Sequence, residues 1–142
     1  MIKRKAYAYV THGHRLLVFR HVDFPEAGIQ VPGGTVEPGE SFERAVRRET
    51  LEETGLRGLE LAGLVGEQML DMSDHGLAEV QQRRFYHMRC RKETSERWQH
   101  VERYASDGSG SLLFELWWAE IDEMPELAGK LGQFLPALKL DK

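Results

Sequence analysis

The chain has 142 residues, enough for about one domain with a buried core, and its 41% hydrophobic and 30% charged residues are the balance of a soluble globular protein. A formal charge of −4 argues against a protein that coats nucleic acid, which carries a basic footprint, yet leaves room for a small phosphorylated ligand bridged to acids by metal ions. Cys90 is the single cysteine, so an internal disulfide is excluded, in keeping with a reducing cytoplasm; the N-terminus lacks the apolar run of a signal peptide, and no stretch is long enough to span a membrane.

Lys5 to Val10 and Arg15 to Arg20 are β-like runs around Thr11-His12-Gly13-His14, which reads as a hairpin turn. Tyr7 and Tyr9 share a face of the first strand. His12 and His14 are expected in solvent at the turn, because further ligands for a zinc site are not apparent nearby. His21 to Gly28 is a polar loop that Phe24 and Pro25 are expected to pin to the body. Gly28 to Val31 reads as a short strand entering Pro32-Gly33-Gly34, where glycines let the backbone approach a ligand, or simply make a turn.

The stretch from Val31 to Leu56 organises the rest. Ser41 is a good N-cap, no breaker interrupts Ser41 to Thr54, and Gly55 stands where a left-handed C-cap would close a helix. At 100° per residue Phe42, Ala45, Val46, Glu49 and Glu53 fall in one stripe with Glu52 at its edge, while Leu51 projects to the opposite side. A docking stripe that ends in carboxylates is costly, because an unpaired buried carboxylate loses several kcal/mol. Two neutralisers present themselves. Arg48 precedes Glu52 by four residues and can pair with it on the helix surface; a hard divalent cation such as Mg²⁺ or Mn²⁺, which prefers carboxylate and carbonyl oxygens and recruits phosphate, is the other.

These residues resemble the Nudix box, G-x5-E-x7-R-E-U-x-E-E-x-G-U with U a bulky apolar residue. Gly34, Glu40, Arg48, Glu49, Glu52, Glu53, Gly55 and Leu56 stand at its spacing over 23 of the 142 residues. Thr50 departs from it, occupying a position usually held by Ile, Leu or Val, at the expected expense of a little packing. The resemblance implies a mixed β-sheet sandwiched between helices in an α/β (α+β) fold, with 1–142 a single domain. It implies Glu49, Glu52 and Glu53 as metal ligands with the Gly34 carbonyl, and Mg²⁺ (or Mn²⁺) as cofactor. Glu52, Glu53 and Arg48 would carry the catalysis, one acid serving as base and Arg48 orienting the acids, while Glu40 binds metal less directly or braces the loop. The partner implied is a nucleotide or nucleotide conjugate, and because many relatives dimerise, a homodimer is among the expected states.

After the helix, Leu59 to Leu70 reads as a strand, with Gly63 and Gly66 suggesting bulges. Asp71 to Gly76 is a turn and Glu79 to Arg91 a long strand. Trp98 to Tyr104 is another strand candidate, and Ser106 to Ser111 a small-residue loop. Leu112, Phe114, Leu116 and Trp118 alternate in a strand from Leu112 to Ala119. Leu127, Leu131, Phe134, Leu135 and Leu138 recur at helical spacing after Pro125, which predicts a C-terminal helix docked on the sheet. Many relatives place a further acid in a late loop, and Glu102, Asp107 and Glu115 are the candidates.

Substrate choice lies outside the box. The proline that marks ADP-ribose hydrolases and the tyrosine that marks dinucleoside polyphosphate hydrolases are both missing around Asp71, and no proline occurs between Pro38 and Pro125. Trp98, Trp117, Phe24 and Tyr86 are candidates to stack a base. The expected function is a Mg²⁺-dependent hydrolase of a phosphoanhydride bond in a nucleoside triphosphate or in a nucleoside diphosphate linked to another group. The alternatives are an inactive nucleotide-binding or regulatory module, and an acidic helix serving only a protein interface.

Overall fold

The computed structural model describes residues 1–103 and 110–140. Its frame is a seven-stranded mixed sheet crossed by one α-helix, the only one among the described residues. The strands are β1 (Ile2–His12), β2 (Arg15–His21), β3 (Gly33–Thr35), β4 (Glu60–Asp71), β5 (Val80–Arg89), β6 (Arg97–Glu102) and β7 (Leu112–Glu120); α1 is Phe42–Thr54. They lie in the order β4-β5-β1-β2-β7-β6, with β3 joined to β1. Only β1 and β5 run parallel; the other pairs are antiparallel.

Strands β1 and β2 pair only beside their turn, at Thr11↔Leu16 and His12↔Arg15, and then separate. The proline-glycine segment fills the gap. Gln30 pairs with Phe19 of β2, Ala8 of β1 donates its N–H to the Pro32 carbonyl, and Gly33 to Thr35 pair with Lys5 to Tyr7. Insertion between two strands demands glycine: a Cβ on Gly33 would lie 2.5 Å from the Ala6 carbonyl oxygen and 2.4 Å from the Tyr7 ring. The strand expected over 28–31 is therefore a single bridge at Gln30, and the true strand begins at Gly33.

Side-chain alternation on β1 sorts the molecule into two cores. Ala6, Ala8 and Val10 join Phe42, Ala45 and Val46 of α1, together with Phe114, Leu116 and Trp118 of β7. Tyr9 faces the other way, against Leu16, Val18, Phe85, Leu127 and Leu131, with Tyr7 packed beside them. Bulges interrupt the β4–β5 ladder at Leu61/Gly63 and Leu64/Gly66, where the glycines forecast them. Gly66 makes room for the Phe134 ring, whose atoms would lie 2.4 Å from a Cβ there.

Three further expectations fail. The C-terminal stretch is not an α-helix: it forms short 3-10 turns at Ala128–Lys130 and Leu135–Ala137, and still buries Leu127 and Leu131 against the second core. Gly129, Gly132 and Pro136 interrupt the helical hydrogen-bond ladder, and Gly129 and Lys130 both take positive φ. The sheet is thus covered by a helix on one face and by turns on the other. Phe24 is not pinned down, being 52% exposed. His12 is half-buried, its Nδ1 donating to the Cys90 carbonyl at 2.7 Å. Among the described residues, no helix is long and apolar enough to cross a membrane.

Candidate active site

Helix α1 is fixed at both ends by local chemistry. The Ser41 side chain accepts from the Arg44 N–H at 3.1 Å, and Gly55, at φ 76°, donates its N–H to the Leu51 carbonyl. The stripe read from the sequence is the buried one: Phe42, Ala45, Val46, Glu49 and Glu53 are all inside, and Glu52 is exposed at its edge. The acids thereby meet the glycine segment. Gly34 has no side chain because the Glu49 carboxylate takes that space, lying 2.5 Å from where a Cβ would sit. The Gly33 N–H donates to Glu53 Oε1 at 2.6 Å.

Arg48 organises the outer rim. Its guanidinium makes a two-pronged pair with Glu40 at 2.9 and 3.0 Å, donates to Glu49 Oε1 at 2.8 Å and to the Thr35 carbonyl at 3.0 Å, and reaches Glu52 at 3.4 Å. Both neutralisation by arginine and convergence of acids are present at once. Glu40 also accepts from the Glu37 N–H at 3.0 Å, so it ties the loop before α1 to the helix.

Strand β6 supplies the remaining acid. Trp98, His100 and Glu102 alternate onto the face of β6 that meets α1. Trp98 Nε1 donates to the Thr54 carbonyl at 3.0 Å and His100 Nε2 to the Glu52 carbonyl at 2.8 Å, satisfying carbonyls that the helix end leaves open. His100 packs against Gly55, within 3.0 Å of a Cβ position there. Two residues on, Glu102 is 5% exposed, and one oxygen each from Glu49, Glu52 and Glu102 lie within 4.8 Å of one another. Of the three late acids considered, Glu102 is the one brought to the helix. Glu115 is occupied by Arg20 at 3.2 Å and Arg97 at 2.6 Å on the surface, and Asp107 lies outside the described residues. The alternation of Trp98, His100 and Glu102 was available in the sequence; that their shared face would meet the helix end was not.

The electrostatics follow from burial. Burial raises the Glu53 carboxyl well above the usual carboxylate range; Glu49 adds to this, and the Gly33 N–H opposes it. Burial also raises Glu49, with Arg48 opposing. Glu40, hydrogen-bonded by Arg48, is held down at about 2. Opposite the acids, Lys5 donates to Thr35 Oγ1 at 2.7 Å, and burial lowers its pKa. A cleft of about 280 Å³ runs between these groups, from Lys3, Lys5 and Tyr7 past Gly33 and Gly34 to Glu49, Glu53 and Glu102, and on to His21 and Phe114.

The donor set fits a hard divalent cation. Three carboxylate oxygens converge, and two neighbouring buried acids carry raised pKa values that a cation would relieve. Glu53 stands beside that trio rather than in it, held by Gly33.

The NUDIX domain model matches residues 1–138, so the chain belongs to the Nudix family. Among solved structures it is similar to a MutT Nudix hydrolase from Burkholderia pseudomallei, with 23% identity, a TM-score of 0.70 and 98% of this chain and 99% of that one covered. It is also similar to an Ap4A hydrolase from C. elegans, with 16% identity, a TM-score of 0.65 and 96% of each chain covered. A UDP-X diphosphatase matches at 15% identity and a TM-score of 0.65, over 96% of this chain and 61% of that one. At such identities the likeness is one of fold. No curated protein sequence matches the chain.

Proposed function

We propose that the protein is a Mg²⁺-dependent (or Mn²⁺-dependent) hydrolase that cleaves a phosphoanhydride bond in a nucleoside triphosphate, or in a nucleoside diphosphate linked to another moiety. The observation that carries this reading is the convergence of Glu49, Glu52 and Glu102 at one end of a cleft whose other wall bears Lys3 and Lys5. A pure binding module has no need of three crowded carboxylates beside a fourth, and an interface helix has no need of the fitted Gly34. The neighbours named as hydrolases of nucleotide derivatives agree with this class.

Glu49, Glu52 and Glu102, with the Gly34 carbonyl and with Glu53 beside them, would hold the cation. Bound there, it would neutralise charge on the diphosphate and lower the pKa of a water. The chain's own groups do the rest. Arg48 fixes the rotamers of Glu49 and Glu52 and ties them to the loop through Glu40. Glu53, with a raised pKa and a side chain fixed by the Gly33 amide, is placed to accept a proton at one carboxylate oxygen. Lys5 and Lys3 neutralise phosphate oxygens on the opposite wall. His21 and Phe114, with ring centroids 4.8 Å apart, give the cleft an aromatic end for a base, and Phe24 lies in edge contact with His21. Of the other stacking candidates, Tyr86 is buried in the helix-side core, Trp98 is spent on α1, and Trp117 lies under Arg97.

The test is a panel of nucleotides and nucleotide conjugates incubated with and without Mg²⁺. Metal-dependent release of a phosphate product that disappears in Glu53→Gln supports the enzyme. Saturable binding with no turnover of any compound would instead establish the binding module.

A further inference from the structure

Tyr7 and Tyr9 leave β1 on one face, two residues apart, and their hydroxyls have opposite fates. Tyr9, under the C-terminal turns, donates to the Leu131 carbonyl and accepts from the Phe134 N–H. Tyr7 stands at the edge of that cover and lines the acid-lined cleft. Its hydroxyl hydrogen-bonds to no described residue and is not sealed from solvent, so it opens onto the cleft.

The ring itself is held. It stacks on Phe85 with centroids 5.2 Å apart, and its Cδ1 lies 2.4 Å from where a Cβ on Gly33 would sit. The Arg83 guanidinium lies 5.5 Å from the ring centroid. Arg83 is 5% exposed, is held by the neutral oxygens of Gln68, Gln81 and Gly129, and pairs with no carboxylate among the described residues. A buried cation without a counter-charge is costly, and an anion brought close to it offsets part of that cost. Burial raises the Tyr7 pKa, with Arg83 opposing and Glu53 and Glu49 adding, so the hydroxyl keeps its proton and stays a donor. A donor already fixed in place loses little entropy when a ligand accepts from it.

Lys3, Lys5 and Tyr7 alternate onto the cleft in steps of about 6.6 Å, so this wall presents two cations and then a neutral donor. In the ladder Lys5 stands opposite Thr35 and Tyr7 opposite Gly33. Followed back from Gly33, the same segment reaches Gln30, which bridges to Phe19, two residues before His21. Tyr7 therefore lies between the lysines and the aromatic end of the cleft.

We propose that Tyr7 is a substrate-binding residue whose hydroxyl donates to the phosphate that carries the nucleoside, while Lys5 and Lys3 hold the group beyond it. This rests on the cleft being a nucleotide site with its base at His21 and Phe114. A phosphate linked on both sides carries a single charge and is met by a neutral donor; the more highly charged end of a triphosphate is met by the two lysines.

The test is calorimetric titration of wild type and Tyr7→Phe, in Mg²⁺, with the four common nucleoside 5′-monophosphates and separately with inorganic pyrophosphate. The monophosphate that binds the wild type best should lose about tenfold in affinity in Tyr7→Phe, the loss of one hydrogen bond to a charged group, and pyrophosphate less than about twofold. Ligand-free Tyr7→Phe should unfold at or above the wild-type temperature, because no internal hydrogen bond is removed. Equal monophosphate affinity in the two proteins, an equal loss for pyrophosphate, or no monophosphate binding to the wild type would overturn the proposal. Steady-state rates on the nucleotide panel separate the two readings. Unchanged kcat/KM in Tyr7→Phe sinks this one and spares the hydrolase; Tyr7-dependent monophosphate binding without any wild-type turnover does the reverse.

Discussion

The two faces of the sheet are covered in opposite ways. On one, a doubly capped 13-residue helix buries carboxylates; on the other, a chain of 3-10 turns buries leucines. The helix face holds three buried acids, a four-partner arginine and a glycine shaped around a carboxylate. The turn face has simpler fastenings: Tyr9 donates to the Leu131 carbonyl at 2.5 Å and accepts from the Phe134 N–H, and Arg83 donates to the Gly129 carbonyl at 2.7 Å. Apolar burial is non-directional, so irregular backbone can deliver it. Placing several oxygens within a few ångströms requires a rigid element whose ends are fixed.

If that division is correct, changes on the helix face act on turnover and changes on the turn face act on stability alone. Glu53→Gln gives the largest effect: turnover falls roughly 10³-fold, within the range for loss of a general base, while the melting temperature rises because a desolvated charge is removed. Steady-state rates and calorimetry read the two together, and a Glu53→Gln protein that is slower but also less stable would blur the division. Gly34→Ala comes next, since a Cβ there displaces the Glu49 carboxylate; a shift approaching 1 Å costs on the order of 10²-fold in kcat, with circular dichroism unchanged.

Arg48→Gln strands Glu40 and Glu49 and is expected to cost about 2 kcal/mol in urea unfolding as well as turnover, because it spans structure and site. Tyr9→Phe belongs to the other face. It removes two hydrogen bonds to the C-terminal chain, costs about 1–2 kcal/mol, and leaves kcat and KM as they were.

The smallest effects are in pH. Burial raises the Tyr9 hydroxyl to about 12, above its unfolded value of about 10, so its contribution is complete below pH 10 and is lost as pH climbs from 10 to 12. Glu40 runs the other way. Held at about 2 against about 4.5 unfolded, it stabilises above pH 4.5 and loses that contribution as pH falls toward 2. Burial also raises Tyr7 and Tyr86, so urea unfolding across pH should soften its alkaline limb in Tyr9→Phe and its acid limb in Glu40→Gln.

Legibility in the sequence divides along the same line. Helix α1 could be read residue by residue because Ser41, Gly55 and the stripe between them act over one to four positions. The motif spacing similarly placed Glu49, Glu52 and Glu53 together. At the C-terminus the same logic of spacing misled: leucines at helical intervals predicted a helix, and Gly129, Gly132 and Pro136 decided otherwise while the leucines were buried all the same. Periodicity reports which side chains seek the core and only indirectly which backbone carries them.

The sequence by itself determined the capped helix, its acidic stripe and the glycines beside it, since each depends on neighbours a few residues away. Only the tertiary structure chose Glu102 over Glu115, wedged the glycine segment between β1 and β2, and left Thr50 without a partner. Those outcomes depend on contacts between residues tens of positions apart, which exist only once the sheet has closed around the helix.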